Sequence, residues 1–330
     1  MSALFDFKSY RAAWDGAHKT DPPIPLNIDI ELASICNLKC PFCFYGEAAW
    51  NERMEKTGDD GRRLKRFMDT DMAIALIEEA TFLGVPALKF NWRGESTLHP
   101  DYTHILSYAR GMVAPKSAAR PAFLELLVNT NANCKTGAIR GLMMATKVMV
   151  SLDSTVPATY AKMRVQGDFG LAMHTCRELI RQGHPNLWIR RVITKDNRDE
   201  PFVANLRDLL GPTGYKVAEH FAFDRGDTKH ATHDAQYDRV YCGYPSQRIM
   251  VASNGDCFPC CVDTDGTMKV GRFDSVLPNL YEIWTDEPMV RLRAELREGK
   301  FASDICRRCE SWMAYKAPQR DFVQDKEIKP

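Results

Sequence analysis

Apolar and polar side chains alternate along residues 26–32, with the two-residue period of a strand whose two faces meet different environments. This alternation predicts a half-buried strand. Five further strands are predicted at 87–92, 123–128, 147–152, 187–194 and 216–223.

Helical patterns occupy the segments between these strands. The clearest apolar stripe, at the three- and four-residue spacing of a helix, consists of Ala73, Leu76, Ile77, Ala80 and Leu83. Asp69 or Thr70 is placed to cap this helix, and Gly84 is placed to end it. Further helices are predicted around 102–109 and over 136–146, 170–182 and 201–210.

The alternation of strands and helices predicts the fold class. About six β–α units in succession imply a parallel sheet with crossover helices. Six units fall short of the eight that close a barrel. We therefore expect an α/β fold with an open, partial (β/α)6 barrel over residues 24–223, preceded by an N-terminal extension at 1–23.

The composition of the sequence changes after residue 223. Residues 224–241 are polar and predict a linker. Residues 242–315 are dense in cysteine and carry one clear helical pattern at about 287–298, and a tail follows at 316–330. Because so short a segment buries little apolar area, we expect a small C-terminal domain that bound metal stabilises.

Composition narrows the classes of function. The 330 residues carry 44 Lys and Arg against 43 Asp and Glu, a formal net charge of +1, and 45% are hydrophobic. This content excludes a disordered chain, and the near-zero charge gives no reason to expect nucleic acid or membrane partners. No stretch approaches the roughly 20 apolar residues of a spanning helix, and the first fourteen residues do not resemble a secretory signal. We expect a cytoplasmic protein of enzyme size.

Most of the eleven cysteines stand in two groups. The first group contains Cys36, Cys40 and Cys43. The second group contains Cys242, Cys257, Cys260, Cys261, Cys306 and Cys309. Clustered cysteines in a reducing compartment are more often metal ligands than disulfides. Cys134 and Cys176 lie apart from both groups and are expected to pack in the core.

The first group has the spacing C-x3-C-x2-C and directly follows the first predicted strand. Three thiolates at this spacing can bind three irons of a cubane cluster and leave the fourth iron open for chemistry. The carboxyl ends of barrel strands are also where enzymes of this architecture hold their active sites. A zinc site that lacks a fourth ligand, or a set of surface cysteines, is the alternative.

With Phe42 before its third cysteine, this motif resembles that of the radical S-adenosylmethionine (radical SAM) superfamily. The resemblance implies a [4Fe-4S] cluster held by Cys36, Cys40 and Cys43, whose open iron chelates the amino and carboxylate groups of SAM. It also implies reductive cleavage of SAM to a 5′-deoxyadenosyl radical. Phe42 is then expected beside the cofactor.

A segment at the end of the second strand extends the resemblance. Residues 91–96 resemble the family's Gly-Gly-Glu-Pro motif, with Arg93 in place of the first glycine and Ser96 in place of the proline. The resemblance implies that the backbone at Arg93 and Gly94, together with Glu95, binds the amino group of SAM.

Later strand ends supply the other SAM contacts that the resemblance implies. Ser151 and Asp153 resemble the region that contacts the ribose and carboxylate of SAM, and Arg164 is a candidate for an ion pair with that carboxylate. Asn129 is a further candidate at the end of the third strand. The strand that ends at Ile193 is expected to offer backbone groups to the adenine.

The second cysteine group resembles the auxiliary-cluster extension known as SPASM or, in its shorter form, twitch. The resemblance implies an auxiliary [4Fe-4S] cluster with four ligands, Cys242, Cys260, Cys306 and Cys309. Tyr315 stands where a full SPASM domain has a further cysteine, so the twitch form with one cluster is expected. Cys257 is the rival of Cys260, and a zinc ribbon is the alternative to iron.

Three residues are candidates for a direct part in the reaction. Cys261 or Cys257 is a candidate hydrogen-atom donor to a substrate radical, and burial as a small hydrophobe is the alternative for either thiol. His220, near the expected mouth of the barrel, is a candidate for substrate contact or proton transfer.

The resemblance implies hydrogen-atom abstraction from a C–H bond of the substrate, by an oxidoreductase or an epimerase. We expect a sugar, aminocyclitol or sugar nucleotide, because the stretch before Cys36 is too short for the recognition domain usual in peptide-modifying relatives. The product is then an oxidised (dehydrogenated) or an epimerised molecule, and a flavodoxin or ferredoxin is the expected electron donor. Modification of a ribosomally made peptide is the alternative. A non-catalytic zinc-binding interaction protein is the alternative of another class.

Overall fold

The computed structural model describes residues 6–58, 61–112, 123–221, 242–309 and 323–327. The strands within these ranges form one sheet of ten. They are β1 (Asn27–Ile30), β2 (Ala87–Lys89), β3 (Glu125–Thr130), β4 (Lys147–Ser151), β5 (Leu187–Ile193), β6 (Lys216–Phe221), β7 (Arg248–Val251), β8 (Asp256–Phe258), β9 (Gly271–Arg272) and β10 (Val323–Glu327).

The first six strands lie side by side in chain order, and every neighbouring pair among them is parallel. β7 pairs with the other edge of β1, also in parallel, and β8 and β9 continue the sheet in antiparallel fashion. β10 runs antiparallel to β6 at the opposite end. This confirms the α/β fold with an open, partial (β/α)6 barrel.

Helices connect the parallel strands, as the periodicity predicts. Those of the barrel part are α1 (Phe7–Thr20), α2 (Ala48–Met54), α3 (Thr70–Leu83), α4 (Tyr102–Met112), α5 (Thr136–Leu142), α6 (Pro157–Met163), α7 (Phe169–Arg181) and α8 (Phe202–Leu210). The cysteine-rich part contributes α9 (Tyr244–Gln247), α10 (Leu280–Thr285), α11 (Glu287–Arg297) and α12 (Asp304–Arg308). α3 ends as expected at Gly84, whose left-handed φ of +77° lets the N–H of Val85 donate to the carbonyl of Ala80 at 2.9 Å. None of the helices in the described ranges has the length and apolar character needed to cross a bilayer.

The main core lies between the outer face of the sheet and the helices. Ile28, Val128 and Val150 from the strands are fully buried there, together with Leu76 and Ile77 of α3. Cys134 and Cys176 belong to the same core, as expected. Burial of this aliphatic layer is the main favourable contribution to the stability of the barrel.

The inner face of the sheet is polar, and this corrects the interpretation of β1 as half-buried. All four residues of β1 are buried, and so is Glu31 just beyond it. Asn27, Asp29 and Glu31 alternate with the core residues Ile28 and Ile30, so they share the opposite face of the strand. The alternation in sequence therefore marks a polar barrel interior rather than a solvent-facing surface.

Helix α1 lies at the amino ends of the first strands, in the stretch that the sequence identifies only as an extension. Its Tyr10 and Ala17 are buried against Leu26 and Ala87, which stand at the beginning of β1 and β2. The side-chain amide of Gln247 donates to the carbonyl of Trp14 at 2.9 Å. The helix thus forms the floor of the barrel.

The cysteine-rich segment shares the sheet of the barrel through β7. The register pairs Ile28 of β1 with Ile249 of β7, and the predicted helix at about 287–298 is present as α11. Trp284 of α10 is fully buried and donates its indole N–H to the carbonyl of Pro22 at 2.8 Å. The domain limits stay predictions, and the expected linker at 224–241 lies outside the described residues.

Candidate active site

The loop after β1, here called the thiol loop (residues 33–46), carries the first three cysteines. Cys40 is buried, and Cys36 and Cys43 are half-buried. The backbone N–H of Cys43 donates to the carbonyl of Cys40 at 3.0 Å, which turns the chain between them. The three thiols therefore stand on one tight loop at the carboxyl end of β1.

Burial controls the protonation of two of these thiols. It raises the pKa of Cys36 to about 12 and also raises the pKa of Cys40. Phe44, Tyr45 and Trp50 pack beside Cys36 and Cys43 and shield them from water. Cluster assembly on this loop must therefore displace protons, since thiolates are the ligands of iron.

The loop after β2 packs directly on the thiol loop at Gly94. The φ of Gly94 is +68°, and a Cβ atom there would lie 2.1 Å from the carbonyl oxygen of Ala33. The next residue, Glu95, donates its N–H to the carbonyl of Ile35 at 2.8 Å. Glycine is required because the two backbones approach too closely for any side chain.

Glu95 connects the loop after β2 to the end of β3 through hydrogen bonds. Its fully buried carboxylate accepts hydrogen bonds from the Thr97 hydroxyl at 2.7 Å, the Thr130 hydroxyl at 2.8 Å and the Asn131 N–H at 2.7 Å. Burial raises the pKa of Glu95 despite these donors. The side chain expected to contact SAM is thus engaged by the protein at both carboxylate oxygens.

Arg93, at the first glycine position of the family motif, points toward the cysteine-rich segment. It forms a two-point ion pair with Glu31, with Nε–Oε1 at 2.6 Å and Nη2–Oε2 at 3.0 Å. Its Nη1 donates to the carbonyl of Thr264 at 3.2 Å. The departure from glycine therefore provides a contact between the barrel and the cysteine-rich segment.

Asp153 and Arg164 meet beside Cys40. Arg164 Nη2 lies 2.5 Å from Asp153 Oδ2, and Nη1 donates to Cys40 Sγ at 3.6 Å. Burial opposes the charge of this guanidinium, but the neighbouring Asp153 carboxylate keeps the pKa of Arg164 above its usual value. Phe42 lies with its ring centroid 5.5 Å from the guanidinium carbon. Three of the predicted SAM-site residues thus meet at the thiol loop.

The remaining predicted contacts line the neighbouring strand ends. Asp153 has a left-handed φ of +67° and accepts the N–H of Val192 on β5 at 2.7 Å. Ser151, the last residue of β4, accepts a hydrogen bond from Arg190 at 2.9 Å. Asn129 has a buried Oδ1 without a hydrogen-bond partner among the described residues, and Ile193 is half-buried at the end of β5.

The second thiol group has its centre at Cys260. Cys260 packs with Val262 and Ile305, and Cys309 lies against the same cluster. A hydrogen bond with Cys261, burial, and the nearby Cys242 and Cys309 thiols all raise the pKa of Cys260. Cys306 lies on α12, one helical turn before Cys309. Three of the four predicted ligands, Cys242, Cys260 and Cys309, therefore lie near one another.

The structure separates the two spare thiols. Cys257 is fully buried in the main aliphatic core, where burial raises its pKa to about 12. Cys261 instead lies beside Cys260, and its carbonyl accepts the indole N–H of Trp92 at 2.8 Å. Its hydrogen bond with Cys260 and the charges of Arg248 and Lys89 lower the pKa of Cys261. Cys261 packs with Met250 and Phe258, on the side of β7 opposite the main core, whereas Cys257 lies within that core.

His220 lies on β6 next to Val192 of β5 and is half-buried. It stands near the carboxyl end of its strand, as the sequence predicts. Its place on the rim is compatible with substrate contact, and its role stays a prediction.

A cavity of about 400 Å³ lies between α1 and the inner face of the sheet. We call it the lumen. It is lined by Phe7, Tyr10, Arg11, Trp14, Asn27, Lys89, Glu125, Leu127, Asn129, Lys147, Met149, Arg190 and Arg248. Apart from Asn129, sequence reasoning missed these residues, although the polar positions that alternate with core residues on the strands were a usable signal.

The donor chemistry of the thiol groups fits iron–sulfur clusters. Three thiols share the thiol loop without a carboxylate among them, and thiolate is the ligand type that such clusters take. Within the described ranges no three His, Cys, Asp or Glu side chains are close enough to bind a single metal ion. Cubane ligands can stand farther apart than that, because each thiolate binds a different iron.

Comparison with protein families gives the assignment. The model of the radical SAM superfamily matches residues 30–209, more than half of the chain. The protein belongs to the radical SAM superfamily. The model of the SPASM iron–sulfur cluster-binding domain matches residues 242–310. This radical SAM enzyme accordingly uses SAM, a [4Fe-4S] cluster and auxiliary iron–sulfur chemistry, as the motifs predict.

Solved structures share the fold of this radical SAM enzyme. BtrN in complex with AdoMet and 2-DOIA matches with a TM-score of 0.57 and 17% identity, over 91% of this chain and 99% of BtrN. SuiB from Streptococcus suis, bound to S-adenosylmethionine, gives 0.59 and 15%, over 87% and 71%. The protein anSMEcpe with bound AdoMet gives 0.54 and 13%, over 81% and 82%. No curated protein sequence matches the chain.

Proposed function

We propose that this radical SAM enzyme abstracts a hydrogen atom from a C–H bond of a small polar substrate held in the lumen and dehydrogenates it. The observation that carries the proposal is the lumen itself, a polar cavity of about 400 Å³ with α1 as its floor. This volume lies in the range of small-molecule sites, toward its lower end. Barrels without such a site usually fill their interior with packed aliphatic side chains.

The thiol loop carries the radical-generating site in this proposal. Cys36, Cys40 and Cys43 hold the cluster, which with bound SAM supplies a carbon radical able to remove hydrogen from an unactivated C–H bond. Arg164, already positioned by Asp153, offers a cation for the SAM carboxylate. The backbone at Arg93 and Gly94 and the residues Phe42, Glu95, Asn129, Ser151 and Ile193 complete the proposed SAM site.

Dehydrogenation requires that the substrate lose an electron and a proton after the hydrogen atom. Cys242, Cys260, Cys306 and Cys309 are proposed to hold one auxiliary [4Fe-4S] cluster, which would supply an electron acceptor. Its segment joins the sheet through β7, next to the strand that leads into the thiol loop. His220 on the rim is a candidate to take up the proton, and a flavodoxin or ferredoxin is the proposed reductant for SAM cleavage.

A small molecule is favoured over a peptide. BtrN binds 2-DOIA, and SuiB was crystallised with the precursor peptide SuiA, so both substrate sizes occur among proteins of this fold. The lumen favours a small molecule, because α1 forms its floor and Tyr10 of that helix is buried there. A sugar, an aminocyclitol or another polar metabolite suits its mixture of charged, amide and aromatic groups.

Epimerisation is the second candidate, and the position of Cys261 favours it. Cys261 packs with Met250, which lies two residues from Arg248 of the lumen wall on the same face of β7, so Cys261 is on the lumen side of the sheet. Cys257 is confined to the aliphatic core and is not proposed for this role. Reaction in D2O separates the outcomes, because only epimerisation places solvent-derived deuterium on the substrate carbon.

Metal content and SAM cleavage test the proposed function. After anaerobic reconstitution we expect about eight irons per wild-type chain and about four in the Cys36/Cys40/Cys43→Ala variant, because each cubane contains four irons. The wild type should form 5′-deoxyadenosine from SAM with a reductant, and the variant should not. Zinc in place of iron in both proteins, with no cleavage of SAM, would refute the proposal.

A further inference from the structure

The wall of the lumen is cationic. Five basic side chains line it, from α1 and from strands β2, β4, β5 and β7: Arg11, Lys89, Lys147, Arg190 and Arg248. Glu125 is the one carboxylate in the lining. Asp29 is not part of the lining but contacts Lys89, which is. Asp15 of α1 also pairs with Arg11, with its Oδ1 3.6 Å from Nη2. The lining itself therefore carries five basic side chains and one carboxylate.

The carboxylate of Asp29 lies near two of these cations. Its Oδ2 lies 3.3 Å from Lys89 Nζ and 3.5 Å from Arg248 Nη1, and the side chain is fully buried. The amide of Asn27 donates to its other oxygen. One carboxylate at such distances offsets only part of two positive charges.

Lys147 has a neutral aromatic group beside it. Lys147 Nζ lies 5.2 Å from the ring centroid of Trp188, and Arg190 donates to the hydroxyl of Ser151 at 2.9 Å. An aromatic face stabilises a cation without cancelling its charge. Lys147 therefore keeps its positive charge at the cavity, and its field adds to that of the other basic side chains in the lining.

Building on the proposed function, we propose that the substrate is an anion, whose phosphate or carboxylate group binds in the lumen against Lys89, Lys147, Arg190 and Arg248. Placing several like charges around a cavity is costly unless an opposite charge accompanies them. An anionic substrate supplies that charge. Charge-assisted hydrogen bonds from Lys and Arg are the usual way in which proteins bind such groups.

The positions of the lining residues along the strands predict the orientation of the bound substrate. Lys147 begins β4, whereas Arg190 lies beside Ser151, the last residue of that strand, and Asn129 lies near the carboxyl end of β3, on the side of the thiol loop. An anion near Lys147 leaves the rest of the molecule extending toward that end. There the unpartnered Oδ1 of Asn129 can accept a hydroxyl group.

Calorimetry on the anaerobic holoenzyme tests the proposal with simple probes at constant ionic strength. The probes are pyrophosphate, malonate and glucosamine, which represent a phosphate, a carboxylate and a cation of metabolite size. We expect pyrophosphate or malonate to bind, with the preferred probe identifying the anionic group, and glucosamine to bind at least tenfold more weakly. Neither anion binding, or glucosamine binding more tightly than both, would overturn the proposal.

Substitutions locate the binding in the lumen. Lys147→Gln should weaken binding of the preferred anion about tenfold, because a hydrogen bond to a charged group is lost. Lys147→Arg keeps the charge and should restore most of the affinity. Lys162→Gln changes an exposed lysine of α6 and should leave the affinity unchanged. Equal affinities in Lys147→Gln and Lys162→Gln, with both proteins folded by thermal unfolding, would contradict the assignment.

The test separates this inference from the proposed function. Formation of 5′-deoxyadenosine is measured on the same preparations without any probe. Anion binding without SAM cleavage would leave the cationic site standing while the radical mechanism fails. SAM cleavage without anion binding would leave the radical mechanism standing while the cationic site fails.

Discussion

Arg93 and Glu31 form a buried two-point ion pair that joins the loop after β2 to the end of β1. Glu31 also accepts the N–H and hydroxyl of Ser253, at 2.9 and 3.0 Å, and Arg93 also donates to the carbonyl of Thr264. The pair therefore connects the barrel with the segments before and after β8. Arg93 also stacks on Trp92, with its guanidinium carbon 4.2 Å from the ring centroid.

Removal of this arginine should be costly. Arg93→Met leaves the Glu31 carboxylate buried without its cation, and losses of about 3–5 kcal/mol are typical of such a break. Arg291→Met, which breaks the exposed pair with Glu287 on α11, should cost about 1 kcal/mol or less. Thermal unfolding of the two holoenzymes under anaerobic conditions gives the comparison. Similar midpoints would mean that the Arg93 pair adds no stability.

The close approach at Gly94 predicts a local effect on the first cluster. In Gly94→Ala the new methyl group meets the carbonyl of Ala33 and has to displace the thiol loop. We expect iron content to fall toward that of a protein with only the auxiliary cluster, together with a packing cost of about 1–3 kcal/mol.

Gly183→Ala is the matched control for Gly94→Ala. Gly183 has a similar φ of +70°, but no atom lies within 4 Å of its added Cβ. It should show only the backbone strain of about 1–2 kcal/mol and full iron content. If both variants keep full iron, the contact between the two loops is not needed for cluster binding.

The sequence predicts the local features of the fold and the site, but it does not predict the contacts between distant positions. The parallel strands, α3 with its Gly84 end, and the three thiols all have signals within a few residues. The ion pair of Arg93 with Glu31 joins positions 62 residues apart, and β7 pairs with β1 across more than 200 residues. No periodicity encodes such contacts, so Arg93 appeared in the sequence only as a departure from the family motif.

The lumen was missed for a different reason. Its signal was present, since Asn27, Asp29 and Glu31 alternate with apolar residues along the first strand, but alternation alone does not distinguish solvent from a polar cavity. Helix α1 decides between them, because it covers the amino ends of the strands. Its docking depends on Tyr10 meeting Leu26 and Ala87, which is a tertiary contact.

Asp153 and Arg164 should be energetically coupled. A double-mutant cycle with Asp153→Asn and Arg164→Gln should give a coupling free energy of about 1–3 kcal/mol, since both groups are buried and in contact. The same cycle on the exposed pair of Glu178 and Arg181 should give about 0.5 kcal/mol or less. Additive effects in the Asp153 cycle would show that Arg164 is held by other contacts and not by this carboxylate.

Cys176 predicts a pH dependence of stability. The thiol is fully buried in the core away from both thiol groups, and burial raises its pKa from 9.0 to about 12. Between these values the unfolded chain has released the proton and the folded chain still holds it. Folding then requires proton uptake, so stability is full below pH 9 and falls by about 1.4 kcal/mol per pH unit above it.

Cys176→Ala should remove this contribution while lowering the overall stability through a small cavity. Thermal midpoints of the wild type and the variant, measured from pH 8 to pH 10.5, are the relevant readout. Below pH 9 the two curves should run in parallel, with the wild type higher. Above pH 9 the wild-type midpoint should fall more steeply, because the alanine variant has no thiol to ionise on unfolding. Parallel curves over the whole range would mean that the Cys176 thiol ionises as readily in the folded protein as in the unfolded chain.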